Sequence, residues 1–277
     1  MKTAGKERLL RDILISMDRV AVAYSGGIDS TYLLKIAFES LGDRAVALTA
    51  VSASLPEDEV EEARQIAHQI GVKHVLIESH EMDDPHYLAN SSARCFFCKN
   101  QVYTELIDHA QSNGYTWVVD GSNLDDIGDH RPGRQAAREH GVRSPLLEAE
   151  LTKSEIRQLA RQAGLPNWDK PAAACLSSRI PYGTTITLEA LSQVERAERL
   201  LHSKGLRQVR VRHYQDTARI EVELHDLQTV LDQRDTILEE LHALGYTYVT
   251  LDLEGFRSGS LNAVLKSNGH QKNRESA

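Results

Sequence analysis

The chain has 277 residues, and at about 150 residues per domain that suits one large domain or two modest ones. With 41% hydrophobic and 26% charged residues it has the composition of a folded globular protein, not of a disordered chain. A net charge of −8 argues against a broad surface for nucleic acid or anionic lipid, no run approaches the roughly 18 apolar residues of a membrane span, and three cysteines are too few for a disulfide scaffold and fit a reducing cytoplasm.

The first half alternates helix-like and strand-like stretches. Residues 1–17 mix charges with leucines and lack the apolar core of a secretory signal; Leu9, Leu10, Ile13 and Leu14 have helical spacing. Arg19 to Tyr24 is a short apolar run stopped by Ser25-Gly26-Gly27, the mark of a buried parallel strand. A helix from Thr31 to Ser40 and a strand from Ala45 to Val51 follow. Pro56 to Ile70 predicts a helix, with acids in its first turn and Gly71 at its end. Lys73 to Ile77 is a third strand, Cys98 to Ser112 a helix and Tyr115 to Val119 a fourth strand. Thr152-Lys153-Ser154-Glu155 has the form of a capping box before a helix from Ile156 to Ala163.

Strands separated by helices of this length predict right-handed crossovers and an open parallel sheet, an α/β fold. The second half differs. A helix from about Leu188 to Ser203 precedes strands at Gln208 to His213 and Ala218 to Leu224, turning at Tyr214-Gln215-Asp216. A helical stretch from Leu227 to Leu244 and a strand from Tyr246 to Leu251 complete a smaller α+β domain. The expected division is 1–183 and 184–265, with a polar, disordered tail at 266–277.

Tyr24-Ser25-Gly26-Gly27-Ile28-Asp29-Ser30 sits where the first strand feeds a helix. Two glycines allow close backbone approach, and a helix start with serine hydroxyls offers donors to an anion such as pyrophosphate. The plainer alternative is a serine-glycine turn with Asp29 as the helix cap. No Gly-Lys-Ser/Thr ends the string, so it is not a Walker A loop. Ligands of open α/β sheets bind at the carboxyl ends of strands, so two more ends should converge there. Thr49 and its neighbours would line a base with backbone groups, and Asp120 to Asp126 brings Gly121 and carboxylates. Asp29 or Asp125 would hold magnesium, unless Asp125 and Asp126 are merely a solvated loop.

Cys95 and Cys98 form Arg94-Cys95-Phe96-Phe97-Cys98-Lys99; Cys175 lies far downstream, before Leu176-Ser177-Ser178-Arg179. A Cys-x-x-Cys pair is compatible with a redox pair, half a zinc site or chance. Three thiolates can also hold three irons of a four-iron cluster and leave the fourth open. Arg94, Lys99, Lys170 and Arg179 would lower thiolate pKa values if they lie close. Further on, Arg210 and Arg212 stand two apart and face one side of a strand, where they would clamp a phosphomonoester or carboxylate; Glu195 and Glu198 share a helix face. The plain alternative for these is a solvated face.

Taken together, Ser25 to Ser30, Arg94 to Lys99, Asp120 to Asp126, Arg131-Pro132-Gly133, Ser144-Pro145-Leu146 and Lys170 through Gly183 resemble the LarE sulfur transferases, in matching order over residues 8–260. The resemblance implies a PP-loop domain of the adenine nucleotide alpha hydrolase-like kind and a smaller C-terminal domain. It implies ATP and Mg2+, with Ser25, Gly26, Gly27, Asp29, Ser30, Thr49, Gly121 and Asp125 at the nucleotide. It implies a pyridinium mononucleotide substrate whose carboxylate becomes a thiocarboxylate, for the nickel-pincer nucleotide cofactor of lactate racemase. Arg210, Arg212, Glu198 and, less directly, Glu195 match residues lining the substrate phosphate or a metal. Cys175 matches the sulfur-handling cysteine. Cys95, Cys98 and Cys175 match the branch with a [4Fe-4S] cluster fed by sulfide or another sulfur donor, rather than the branch that sacrifices one cysteine. A homo-oligomer is expected. The rivals are a PP-loop tRNA thiolase, an amide-forming PP-loop synthetase and an ATP-binding regulator.

Overall fold

The structure, a computed structural model, describes residues 2–128, 132–171, 174–257 and 259–262. It divides into two compact units, Met1–Tyr87 with Ser92–Ala173, and Leu88–Ser91 with Ala174–Ala277. The junction thus falls near Ala173, ten residues before the expected 183. The reason is a long-range contact: the carboxamide of Asn90 donates to the carbonyls of Ile180, Pro181 and Thr184, which ties that stretch to the second unit. The tail at 266–277, Arg131, Ala172 and Ala173 lie outside the described residues.

In the first unit β1 (Val20–Ala23), β2 (Ala45–Val51), β3 (Lys73–Glu78) and β4 (Trp117–Val119) form a parallel sheet in the order β3-β2-β1-β4. Its helices are α1 (Thr3–Met17), α2 (Ile28–Leu41), α3 (Glu57–Ile70), α4 (Pro85–Leu88, its last residue in the other unit), α5 (Arg94–Ser112), α6 (Pro132–Glu139), α7 (Pro145–Glu148) and α8 (Lys153–Gln162). β1 and most of β2 are apolar on both sides because both sides are covered, whereas the edge strand β3 is half-buried or exposed along its length. Val20, Val22, Ala45 and Ala47 join a core with α1, α2 and α8, whereas Ala21, Val46 and Leu48 join one with α5 and α6. The connection from β1 runs outward to β2 and β3 and then returns to place β4 on the other side of β1. Strand order therefore reverses at β1, where such sheets open a crevice.

The capping box of α8 is present: the Glu155 amide donates to Thr152 Oγ1, and the Thr152 amide donates to Glu155. Lys6 of α1 adds its ammonium at 2.8 Å. That hydrogen bond, followed by the Thr152 amide, lowers the Glu155 pKa from its usual 4.5 to about 2. A carboxylate depressed in this way stabilises the fold fully above about pH 4.5, and its contribution fades as pH falls toward 2. Glu155→Gln is expected to flatten the acid limb of a stability-against-pH curve in that window; an unchanged limb would count against the pairing.

The second unit has α9 (Leu188–Ser203), β5 (Val209–Tyr214), β6 (Thr217–Val222), α10 (Leu227–Asp232), α11 (Arg234–Ala243) and β7 (Tyr248–Leu251). β5 and β6 are antiparallel around Gln215-Asp216, and β7 runs parallel to β6. Ala197 and Leu201 of α9 pack with Val209, Val211 and Ile220. The single helix expected over 227–244 is broken at Gln233, whose φ of −101° and ψ of 12° leave the helical region while its side chain reaches the Lys204 carbonyl. Among the described residues no helix is long and apolar enough to cross a membrane.

Candidate functional site

The Ser25–Ser30 loop leaves the carboxyl end of β1, where the strand order reverses. α2 starts within the loop, at Ile28: Gly27 is the N-cap and Asp29 lies in the first turn, so Asp29 is not the cap. Gly26 has φ +73°, and a Cβ there would come within 3.0 Å of the Ala63 Cβ on α3. Ser25 and Ser30 hydroxyls lie 3.1 Å apart, and Ser30 Oγ also donates to the Gly27 carbonyl. The loop thus folds on its own hydroxyls, and the amides at the start of α2 have the character that suits an anion.

The other two strand ends meet this loop. Thr49 Oγ1 donates to the Tyr24 carbonyl at 2.6 Å, so it accepts from His74 Nε2 at 2.8 Å, which fixes the Nε2–H tautomer. Burial holds the His74 pKa below its usual value, favouring the neutral ring. Thr49 is thereby a brace for the strand-to-loop peptide, and only its backbone is left for a base. Beyond β4, Gly121 is pressed against α2: a Cβ on it would sit 2.8 Å from the Ser30 nitrogen and 3.1 Å from its Cα. These are backbone atoms, so Gly121→Ala must push the loop aside. We expect that variant to fold but to weaken ATP binding at least about tenfold by calorimetry; undiminished affinity would show that Gly121 does not shape the site.

Asp120 is a structural hub, accepting from the Ser122, Ser144 and Tyr103 hydroxyls. Asp29 is different. Its Oδ1 is buried with no partner among the described residues. Burial first, and then Asp126 and Asp125, raise its pKa, while Lys153 and Arg157 pull it down. An orphaned carboxylate oxygen beside two more acids and an anion-binding helix start has the donor chemistry for a magnesium–phosphate pair. Asp125 uses Oδ2 to accept from the Lys153 amide at 2.7 Å.

α5 begins at Arg94, four residues before the expected Cys98, so both Cys95 and Cys98 lie on the helix, three apart on one face. The N-cap is Ala93, which makes no side-chain cap, so the sequence carries no start signal. Of the four cations expected near the thiols, Arg94 Nη2 comes within 3.9 Å of Cys95 Sγ. Lys99 lies over the Tyr103 ring, and Lys170 pairs with Glu59 and Glu62.

In the second unit Cys175 precedes a tight turn, Leu176–Arg179, and the three cysteines form no disulfide among the described residues. The fourth cation, Arg179, is buried and forms a two-pronged pair with Glu198 at 2.8 and 2.7 Å. Its Nη1 donates to the carbonyls of Ala174 and Cys175. Arg212 donates to the Ser178 carbonyl and pairs with Glu221 at 2.7 Å. Two arginines therefore pin the Cys175 turn from both ends. The structure keeps Arg210 and Arg212 on one face of β5, with Arg210 over the Phe256 ring. It engages Glu198 with Arg179 and the Val211 amide, and pairs Glu195 with Arg199. The pinning role of Arg179 was not legible from sequence, because its partner stands nineteen residues away.

Comparison with known proteins matches residues 8–93 to the asparagine synthase family. The chain is 49% identical over 260 residues (92% of this chain, 96% of the other) to an uncharacterized protein, slr1717, of Synechocystis sp.. It is 41% identical over 263 residues, 95% of each chain, to the pyridinium-3,5-bisthiocarboxylic acid mononucleotide synthase of Lactiplantibacillus plantarum. It is 25% identical to the tRNA-specific 2-thiouridylase MnmA of Beijerinckia indica, over 56% of this chain and 44% of that one. With 41% identity to the Lactiplantibacillus plantarum synthase along 95% of both chains, the chain belongs to the LarE family of ATP-dependent sulfur transferases.

Proposed function

We propose that the protein adenylates a carboxylate of a pyridinium biscarboxylic acid mononucleotide with ATP and Mg2+, and replaces the activated oxygen with sulfur to give a thiocarboxylate for the nickel-pincer nucleotide cofactor. The observation that carries this reading is the 41% identity to the Lactiplantibacillus plantarum synthase along 95% of both chains. A carboxylate is a poor acyl electrophile. Attack of its oxygen on the α-phosphorus expels pyrophosphate and leaves an acyl-adenylate. A sulfur nucleophile then attacks the acyl carbon, and the bond to AMP breaks as the carbon–sulfur bond forms.

The loop Ser25, Gly26, Gly27 and Ser30 would hold the leaving pyrophosphate, Asp29 and Asp125 the magnesium, the backbone at Thr49 the base, and Gly121 the close approach. Arg210 and Arg212, with Glu198 and Glu195, would line the site of the substrate phosphate or of a metal. Cys95, Cys98 and Cys175, which form no disulfide, would hold three irons of a [4Fe-4S] cluster, which would leave one iron open for sulfide.

Anaerobically purified protein given ATP, Mg2+ and the biscarboxylic mononucleotide should release AMP and pyrophosphate in step with a thiocarboxylate seen by mass spectrometry. No pyrophosphate with this substrate would sink the reading. Iron analysis separates two versions of the sulfur step. About four irons per chain, lost in Cys95→Ala, support the cluster; a colourless protein in which Cys175 alone loses its sulfur supports sacrificial donation. The likeness to MnmA favours a second reading, tRNA thiolation. Tight, salt-sensitive tRNA retention in filter binding would support it.

A further inference from the structure

We propose that Asn167 is a positioning residue for ATP: it holds the Gly26 carbonyl away from the phosphates and so keeps the Ser25–Ser30 loop ready to bind them. The inference rests on the nucleotide reading of that loop. Asn167 follows the Gly164-Leu165-Pro166 stop of α8 and is only 3% exposed. Its Nδ2 donates to the Gly26 carbonyl at 2.9 Å and to Thr31 Oγ1 at 3.0 Å, reaching 141 and 136 residues along the chain. A carbonyl can only accept, so the nitrogen must be the atom facing Gly26.

This contact lies where the loop has most freedom. Gly26 occupies the left-handed region, where glycine has low barriers and the following peptide can rotate. Rotated toward the ligand, its carbonyl would set a negative end against a negative phosphate. The Asn167 amide captures that carbonyl on the other side. The segment is itself held: Lys170, three residues on, pairs at 2.6 Å with Glu59 and Glu62 of α3, the helix whose Ala63 closes on Gly26. One stretch thus holds the loop and α2 through Asn167 and is itself tied to α3 through Lys170. A loop ordered before ATP arrives costs less to bind, which shows in affinity and not in the chemical step.

The test uses the full chain and α,β-methylene ATP, with binding by calorimetry and steady-state pyrophosphate release. Asn167→Ala should raise both the Kd for the analogue and the KM for ATP about tenfold while kcat stays within about threefold. Asn167→Asp, nearly the same shape but with an acceptor facing the carbonyl, should lose at least as much, and the melting temperature of each variant separates this loss from a folding artefact. Thr31→Val removes the second contact alone and should bind within about twofold of wild type. Amide exchange over 25–30 should rise in the two Asn167 variants. Wild-type affinity in Asn167→Asp, or a loss of melting temperature with KM unchanged, overturns the inference. A wild-type chain that does not bind the analogue overturns the nucleotide reading itself.

Discussion

Cys175→Ser is expected to lower thiocarboxylate formation to below about one-thousandth of wild type while ATP-dependent pyrophosphate release persists within about threefold. Serine keeps the size and hydrogen bonding of the turn before Leu176, so the scaffold survives; what disappears is the sulfur. The residues assigned to the nucleotide lie in the other compact unit, at the ends of β1, β2 and β4. Acyl-adenylate should then form and hydrolyse slowly, giving pyrophosphate without thiocarboxylate. Coupled pyrophosphate assay and product mass spectrometry on one sample measure both. If the two fall together, Cys175 serves the fold of its turn and not sulfur transfer.

Glu198→Ala is expected to cost about 3–5 kcal/mol of unfolding free energy, the usual result of removing one partner from a buried ion pair. Glu198 accepts two bonds from Arg179 and one from the Val211 amide, and the arginine side chain is 3% exposed. Its loss leaves a buried guanidinium and a buried amide unpaired. Freed Arg179 would no longer fix the carbonyls of Ala174 and Cys175, so thiocarboxylate formation should fall with stability. Glu198→Gln keeps an acceptor for Val211 but no charge, and should lie between. Urea or calorimetric unfolding decides the matter. A cost under about 1 kcal/mol, with raised KM for the mononucleotide, would instead favour Glu198 as a residue facing substrate.

The parallel sheet was legible because strands buried on both sides leave unbroken apolar runs, as at Val20–Ala23, and because Gly71 and Thr152–Glu155 punctuate helices with local chemistry. The Ser25–Ser30 loop was legible for the same reason: its glycines and hydroxyls act on one another. What remained hidden acts at long range. Nothing near Ala93 announces that α5 starts there. Asn167 looks like an ordinary loop residue until Gly26 lies beside it. Arg210, Arg212, Glu195 and Glu198 could be placed on faces by periodicity, but periodicity does not say that Glu198 meets Arg179 or that Arg212 meets Glu221.

The four-residue excursion Leu88–Ser91 has a bearing on how the polypeptide is made. Asn90 leaves the ribosome 90 residues ahead of Ile180, the first of the carbonyls it will hold. At about 5–20 residues per second, that peg waits on the order of five to twenty seconds for its socket. A separately expressed 174–277 fragment would lack it, leaving the Ile180, Pro181 and Thr184 carbonyls without their amide. The smaller unit is therefore a lobe sewn from two stretches of thread, and it closes only when late synthesis returns to an early stitch.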